Sequence, residues 1–227
     1  MHTKSLLALL FAMVFVNTAN ATVNLIKNGD AETGLGGNSQ VVVVPNWQDL
    51  TGNFTVIKYD IGGGYLASGD PGPIDRGLNY FSGGTNNLYS SAYQVTDILD
   101  NAGNAGFYAS GYFGGFAGQT DYSQLTIQFL DVNASVISFV TFGSTMPSER
   151  GGVTGLLFKE ISGVTPVGTT QIAFKLEMQR EQGSANDGYA DNLFFSITPV
   201  PEANTVSMLL VGLGLLGLMA KRKKQDI

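Results

Sequence analysis

Apolar residues recur at every second position in short runs, and the runs are cut by Gly, Asn, Asp and Pro. Side chains on an extended strand point alternately to the two faces of a sheet, so this period marks strands with one wet and one buried face. In Gln171–Gln179 the positions Ile172, Phe174, Leu176 and Met178 share the buried face, which leaves Glu177 facing water. Residues 123–130 alternate in the same way, Asp131-Val132-Asn133-Ala134 supplies a turn, and residues 135–142 continue beyond it. A hairpin from Leu125 to Phe142 is predicted. Further strands are expected at residues 41–44, 54–59, 105–113, 153–161 and 192–197. No stretch of this region keeps a helical apolar period for three turns. Short strands with no helix to cover a parallel sheet predict an all-β fold, an antiparallel two-sheet β-sandwich of jelly-roll type. No internal repeat points to a propeller or solenoid instead.

The two ends of the chain depart from this pattern. Lys4 precedes an unbroken apolar run from Leu6 to Val16, and Ala19-Asn20-Ala21 places small residues where a signal peptidase reads. Residues 1–21 are therefore read as a signal peptide cleaved before Thr22. An N-terminal membrane anchor is the competing reading. Eleven apolar residues, at about 1.5 Å each, cover roughly half of a ~30 Å hydrocarbon core.

At the other end, Val200-Pro201-Glu202 precedes an apolar or small stretch at 206–220 containing Gly212, Gly214 and Gly217, and then Lys221-Arg222-Lys223-Lys224. A transmembrane helix of that length barely crosses a bilayer, and the cations hold its end on the cytoplasmic side. The order of motif, hydrophobic helix and basic cluster resembles the PEP-CTERM sorting signal of Gram-negative bacteria, whose pattern begins Val-Pro-Glu-Pro. Ala203 stands at its last position. The resemblance makes 199–227 a sorting tail and the protein an exosortase substrate, held in the membrane by this tail before processing. A plain C-terminal membrane anchor is the alternative. The chain thus divides into a signal peptide at 1–21, a sandwich domain at 22–198 and the tail.

Composition narrows what the domain does. Between residues 22 and 200 there are seven basic and sixteen acidic side chains, a net charge of −9, which argues against nucleic acid as a partner. An acidic balance suits divalent-cation sites or polysaccharide surfaces, and equally a solvated surface that aids solubility. Cysteine is absent, so no disulfide braces an exported domain. The single histidine is His2, in the signal segment, which removes Ser-His-Asp, Cys-His and histidine-zinc chemistry from the mature protein. Carboxylate-only chemistry of the glycosidase kind stays open. Glu149 with Arg150 and Glu177 with Arg180 read as surface ion pairs.

The domain opens with Asn24-Leu25-Ile26-Lys27-Asn28-Gly29-Asp30-Ala31-Glu32-Thr33-Gly34, followed by Pro45-Asn46-Trp47, and closes with Asn186-Asp187-Gly188-Tyr189-Ala190-Asp191-Asn192. This frame resembles galactose-binding-like jelly rolls, including many carbohydrate-binding modules. In that family an N-terminal carboxylate and an aspartate before the last strand hold a structural calcium ion. The resemblance carries this role to Glu32 and Asp191, with Asp30 and Asp187 as further ligands. Ca²⁺ takes six to eight oxygens, and carboxylates, amides and turn carbonyls are what both segments offer. The same Asn, Asp and Gly residues also serve plain turns.

Trp47 reads either as a sugar-stacking platform or as a core residue. Tyr112, Phe116 and Tyr122, together with Phe113, surround a glycine-rich stretch and are candidates for an exposed aromatic surface that binds a ligand, or for core. The expected function is a non-catalytic exported protein of the cell surface or extracellular matrix that binds carbohydrate, an exopolysaccharide among them. An adhesive matrix protein that recognises no sugar is one alternative. A carboxylate-based hydrolase is another.

Overall fold

A computed structural model describes residues 23–98 and 103–198, together with Leu213. The expected signal peptide and the sorting motif Val200, Pro201 and Glu202 with its hydrophobic helix lie outside the described residues, Leu213 apart. Among the described residues no helix is long and apolar enough to cross a membrane.

The described residues contain ten strands: β1 (Gln48–Thr51), β2 (Thr55–Lys58), β3 (Asn79–Ser82), β4 (Tyr89–Asp97), β5 (Gly106–Gly115), β6 (Tyr122–Leu130), β7 (Val136–Gly143), β8 (Gly155–Val164), β9 (Gln171–Gln179) and β10 (Tyr189–Thr198). They make two five-stranded sheets, ordered β1-β4-β9-β6-β7 and β2-β3-β10-β5-β8, and every strand ladder is antiparallel. This is the jelly-roll sandwich that the alternation predicts.

The expected hairpin forms between β6 and β7. Asp131 closes it as an Asx turn: its Oδ1 accepts from the backbone N–H of Asn133 and Ser135, at 2.8 and 2.9 Å, while Ala134 takes a left-handed φ of 58°. Ile172, Phe174, Leu176 and Met178 of β9 are all fully buried between the sheets. Around them Phe174, Phe195, Phe107 and Phe129 pack with ring centroids 5.1 to 5.7 Å apart. Residues 41–44 form no strand, contrary to expectation. Val42 instead donates its N–H to Thr55 Oγ1 at 2.9 Å, a side-chain bond that begins no ladder.

The second sheet is packed on both faces. Its outer face carries a smaller core of Ile57, Tyr59, Leu66, Tyr80, Leu156 and Tyr189, covered by the long β2–β3 loop. Arg76 staples that loop, donating to the carbonyls of Pro73, Ala67 and Asp70 at 2.8, 3.1 and 3.0 Å and lying over the Tyr59 ring. The N-terminal segment is tied to β10 by Asn24, whose Nδ2 donates to Leu193 O at 2.9 Å and whose Oδ1 accepts from Phe195 N at 3.0 Å. Gly29 is needed where this segment crosses, since a Cβ there would stand 2.2 Å from the Leu193 carbonyl oxygen.

Candidate functional site

The outer face of the first sheet carries polar and aromatic side chains in register across four strands. Alternation on β9 sends Ile172, Phe174, Leu176 and Met178 inward, so Lys175, Glu177 and Gln179 face out. Cross-strand pairing then aligns Tyr93, Lys175, Thr126 and Thr141 in one row, Ser91, Glu177 and Gln124 in the next, and Tyr89, Gln179 and Tyr122 in a third.

Glu177 organises these rows. Tyr89 Oη donates to its Oε1 at 2.5 Å, Lys175 Nζ reaches the same oxygen at 2.9 Å, and Thr126 Oγ1 donates to Oε2 at 2.8 Å, with Gln124 Nε2 at 3.5 Å. Only 15% of the Glu177 side chain is exposed. Burial pushes its carboxyl up, but the bonds from Tyr89, Lys175 and Thr126 outweigh that and hold it below the usual range. The expectation of a plain surface pair with Arg180 is therefore corrected: Arg180 donates to the carbonyl of Ser184 instead. Glu149 likewise pairs with Lys159, at 2.5 Å, and not with Arg150. Arg150 is buried, with its guanidinium on the carbonyls of Gly115, Ala117, Val153 and Gln119.

A fixed, ionised carboxylate amid hydroxyl, amide and ammonium groups, flanked by the rings of Tyr89, Tyr93 and Tyr122, can exchange hydrogen bonds with vicinal hydroxyls and pack on the C–H face of a ring. Among the described residues no second acid is hydrogen-bonded into this cluster.

The aromatic candidates from the sequence fall in separate places. Tyr122 belongs to the face just described. Trp47 is a core residue, its rings 6.0 and 5.6 Å from Phe54 and Phe81 and its Nε1 donating to Asn28 O at 3.2 Å, so it offers no platform. Phe113 is fully buried between the sheets. Tyr112 lies on the outer face of the second sheet against Phe158. Phe116 packs on the smaller core, beside Tyr65. These residues do not make one surface.

The four acidic candidates also separate. Asp187 precedes Asp191 by four residues of extended chain, about 13 Å at ~3.3 Å per residue, too far for one ion. Asp187 instead accepts from Tyr189 Oη at 2.7 Å, and its own N–H donates to Asp121 Oδ2. Glu32 Oε1 caps the backbone N–H groups of Leu78 and Asn79, both at 2.8 Å. Asp191 is fully buried, accepting from Tyr59 Oη at 2.8 Å and from Asn192 N at 2.7 Å. Its carboxyl is pushed up to about 8, by burial first, with the charges of Glu32 and Asp30 adding to it. Among the described residues no three acidic side chains gather closely enough to form a metal shell. Asp30 and Glu32 lie near enough to Asp191 for their charges to act on it, and Asp187 does not join them.

The two sheets define a jelly-roll β-sandwich. Solved structures similar to it include a family 16 carbohydrate-binding module, 20% identical over 76% of this chain and 99% of that one, with a TM-score of 0.48. A family 61 module in complex with β-1,4-galactotriose is 15% identical over 78% of this chain and 100% of its own, with a TM-score of 0.43. The enzymatically active domain of tailspike protein 4 from bacteriophage CBA120 is 14% identical over 77% of this chain, with a TM-score of 0.49, and this chain spans only 21% of it. No curated protein matches the chain. Residues 199–223 match the PEP-CTERM protein-sorting motif, the signal read from Pro201, Glu202 and the basic cluster.

Sequence reasoning missed Tyr89, Tyr93, Gln124, Thr126 and Lys175 as site residues. The usable signal was the outward register of strands 123–130 and 171–179, whose wet positions hold amides, hydroxyls and a Lys-x-Glu pair.

Proposed function

We propose that the protein is exported and non-catalytic, and that it binds a polysaccharide along the outer face of the first sheet. The observation that carries this reading is the half-buried, ionised Glu177, fixed by Tyr89, Lys175 and Thr126 on a tyrosine-flanked polar surface. An acid held below its usual range accepts hydrogen bonds from sugar hydroxyls and is poorly suited to donate a proton to a leaving group. The sorting motif supports delivery to the cell surface or extracellular matrix of a Gram-negative bacterium, after cleavage by signal peptidase and processing by an exosortase.

The test is retardation of the purified protein in gels containing xylan, β-1,4-galactan or the exopolysaccharide of the producing cells. Retardation by at least one is expected, with Glu177→Gln and Tyr93→Ala each reducing it about tenfold in protein that circular dichroism shows to be folded. Failure of all three to retard it, or retardation of both variants as strong as that of the parent protein, overturns the reading and favours an adhesive role without sugar recognition.

Calcium enters the proposal in reduced form. Glu32 and Asp191 would supply the carboxylates, and backbone carbonyls and water the remaining oxygens. Such an ion would brace the N-terminal segment against β10, where a disulfide braces many other exported domains.

A further inference from the structure

The outer face of the second sheet, on the opposite side of the sandwich, holds a cavity of about 480 Å³. That lies within the ~300–1,000 Å³ usual for small-ligand sites. Its apolar wall comes from β5 and β10: outward alternation on β5 presents Tyr108 and Tyr112, and β10 adds Phe194, whose ring centroid is 6.1 Å from that of Tyr108. Its opposite rim is acidic, with Asp30 from the N-terminal segment and Asp75 from the β2–β3 loop.

Each rim carboxylate uses one oxygen within the protein. Asp75 Oδ1 accepts from Asn192 Nδ2 at 3.0 Å, and Asp30 Oδ1 accepts from the Glu32 N–H at 3.3 Å. The second oxygen of each has no donor among the described residues, and no Lys or Arg lines the cavity. Arg76, next to Asp75 in the chain, commits its guanidinium to the carbonyls of Pro73, Ala67 and Asp70.

A neutral sugar would use the rings and leave the carboxylates without a counter-charge. A metal ion would use the carboxylates and leave the rings idle. A pyranose carrying a protonated amine uses both: its C–H face packs on the aromatic wall, and the ammonium group meets the rim charges and the ring faces. We propose that this cavity is a second glycan site, selective for residues with a free amino group such as a de-N-acetylated hexosamine.

The test is calorimetric titration of the purified protein with the β-1,4-linked glucosamine tetramer and with its fully N-acetylated counterpart. The amine form is expected to bind at least tenfold more tightly and to weaken as salt rises, because screening acts on the charge contribution alone. Asp75→Asn and Asp30→Asn are each expected to weaken it about tenfold, and Tyr112→Leu to weaken both oligomers. Glu177→Gln leaves this binding unchanged, which separates it from the face of the first sheet. Equal affinity for the two oligomers, insensitivity to Asp75→Asn, or loss in Glu177→Gln overturns the proposal. Asp75 sits on an exposed loop, so its asparagine variant reads out even where a change at Asp30 impairs folding.

Discussion

The hydroxyl of Tyr59 donates to Asp191 Oδ2 at 2.8 Å, linking the edge of the second sheet to the strand through its middle. Both groups are buried, and burial pushes the Asp191 carboxyl up to about 8 although the bond from Tyr59 favours its ionised form.

Stability should therefore fall as pH rises. Asp191 titrates near 8 in the folded protein and near the ordinary carboxylate value when unfolded, so the folded state holds the extra proton between about 4 and 8. Its contribution is complete below the unfolded value and is lost as pH climbs through the folded one, at up to about 1.4 kcal/mol per pH unit. Urea unfolding at pH 5, 6.5 and 8 should show the decline, and Asp191→Asn should flatten it. An unchanged slope in the variant would assign the dependence elsewhere.

Millimolar calcium should raise the thermal midpoint, and more at pH 8 than at pH 5, since the ion competes with the proton on Asp191. A chelator should reverse the shift, and Glu32→Gln should abolish it. A midpoint indifferent to calcium, in protein stripped of metal, would leave Glu32 as the cap of the Leu78 and Asn79 N–H groups alone.

Trp47 is the only tryptophan, which makes it a clean optical probe. Its emission should be blue-shifted and insensitive to any bound glycan, because the ring is buried against the stacked pair Phe54 and Phe81. Replacing it with alanine should remove about 3–5 kcal/mol of stability, as other buried aromatic truncations do. Quenching by polysaccharide would contradict the core assignment.

Arg150→Lys should destabilise the domain by roughly 1–3 kcal/mol in urea unfolding. One ammonium group cannot reach the four carbonyls that the guanidinium fork satisfies, and an unpaired buried acceptor carries a desolvation penalty of that size. Glycan retardation should survive, since none of the four carbonyls it holds belongs to a residue bonded to Glu177.

Strands with strict apolar alternation were legible from sequence, and β9 was found to the residue. β4 was not, because its inward positions include Ser90 and Gln94. Gln94 is tolerated there because it exchanges hydrogen bonds with both backbone groups of Lys27, a partner 67 residues away. Edge strand β1 is exposed throughout and β3 has four residues between glycine-rich loops, so neither carries a periodic signal. Glu177 was placed correctly on the wet face. Its burial was not legible, because its partners come from β4 and β6 and only sheet order brings them together.

The position of β10 also decides how the molecule bears load. It is hydrogen-bonded to neighbours on both sides, and its ladder with β5 runs from Tyr189 to Thr198, the residue before the sorting motif begins. A pull transmitted through that tail runs along the strand axis and strains the ladder bonds together, in shear, while Asn24 grips the same strand from the side. A peeled edge strand gives way one bond at a time. Loaded through a central strand, this domain should hold with the resistance of a seam and not of a zip.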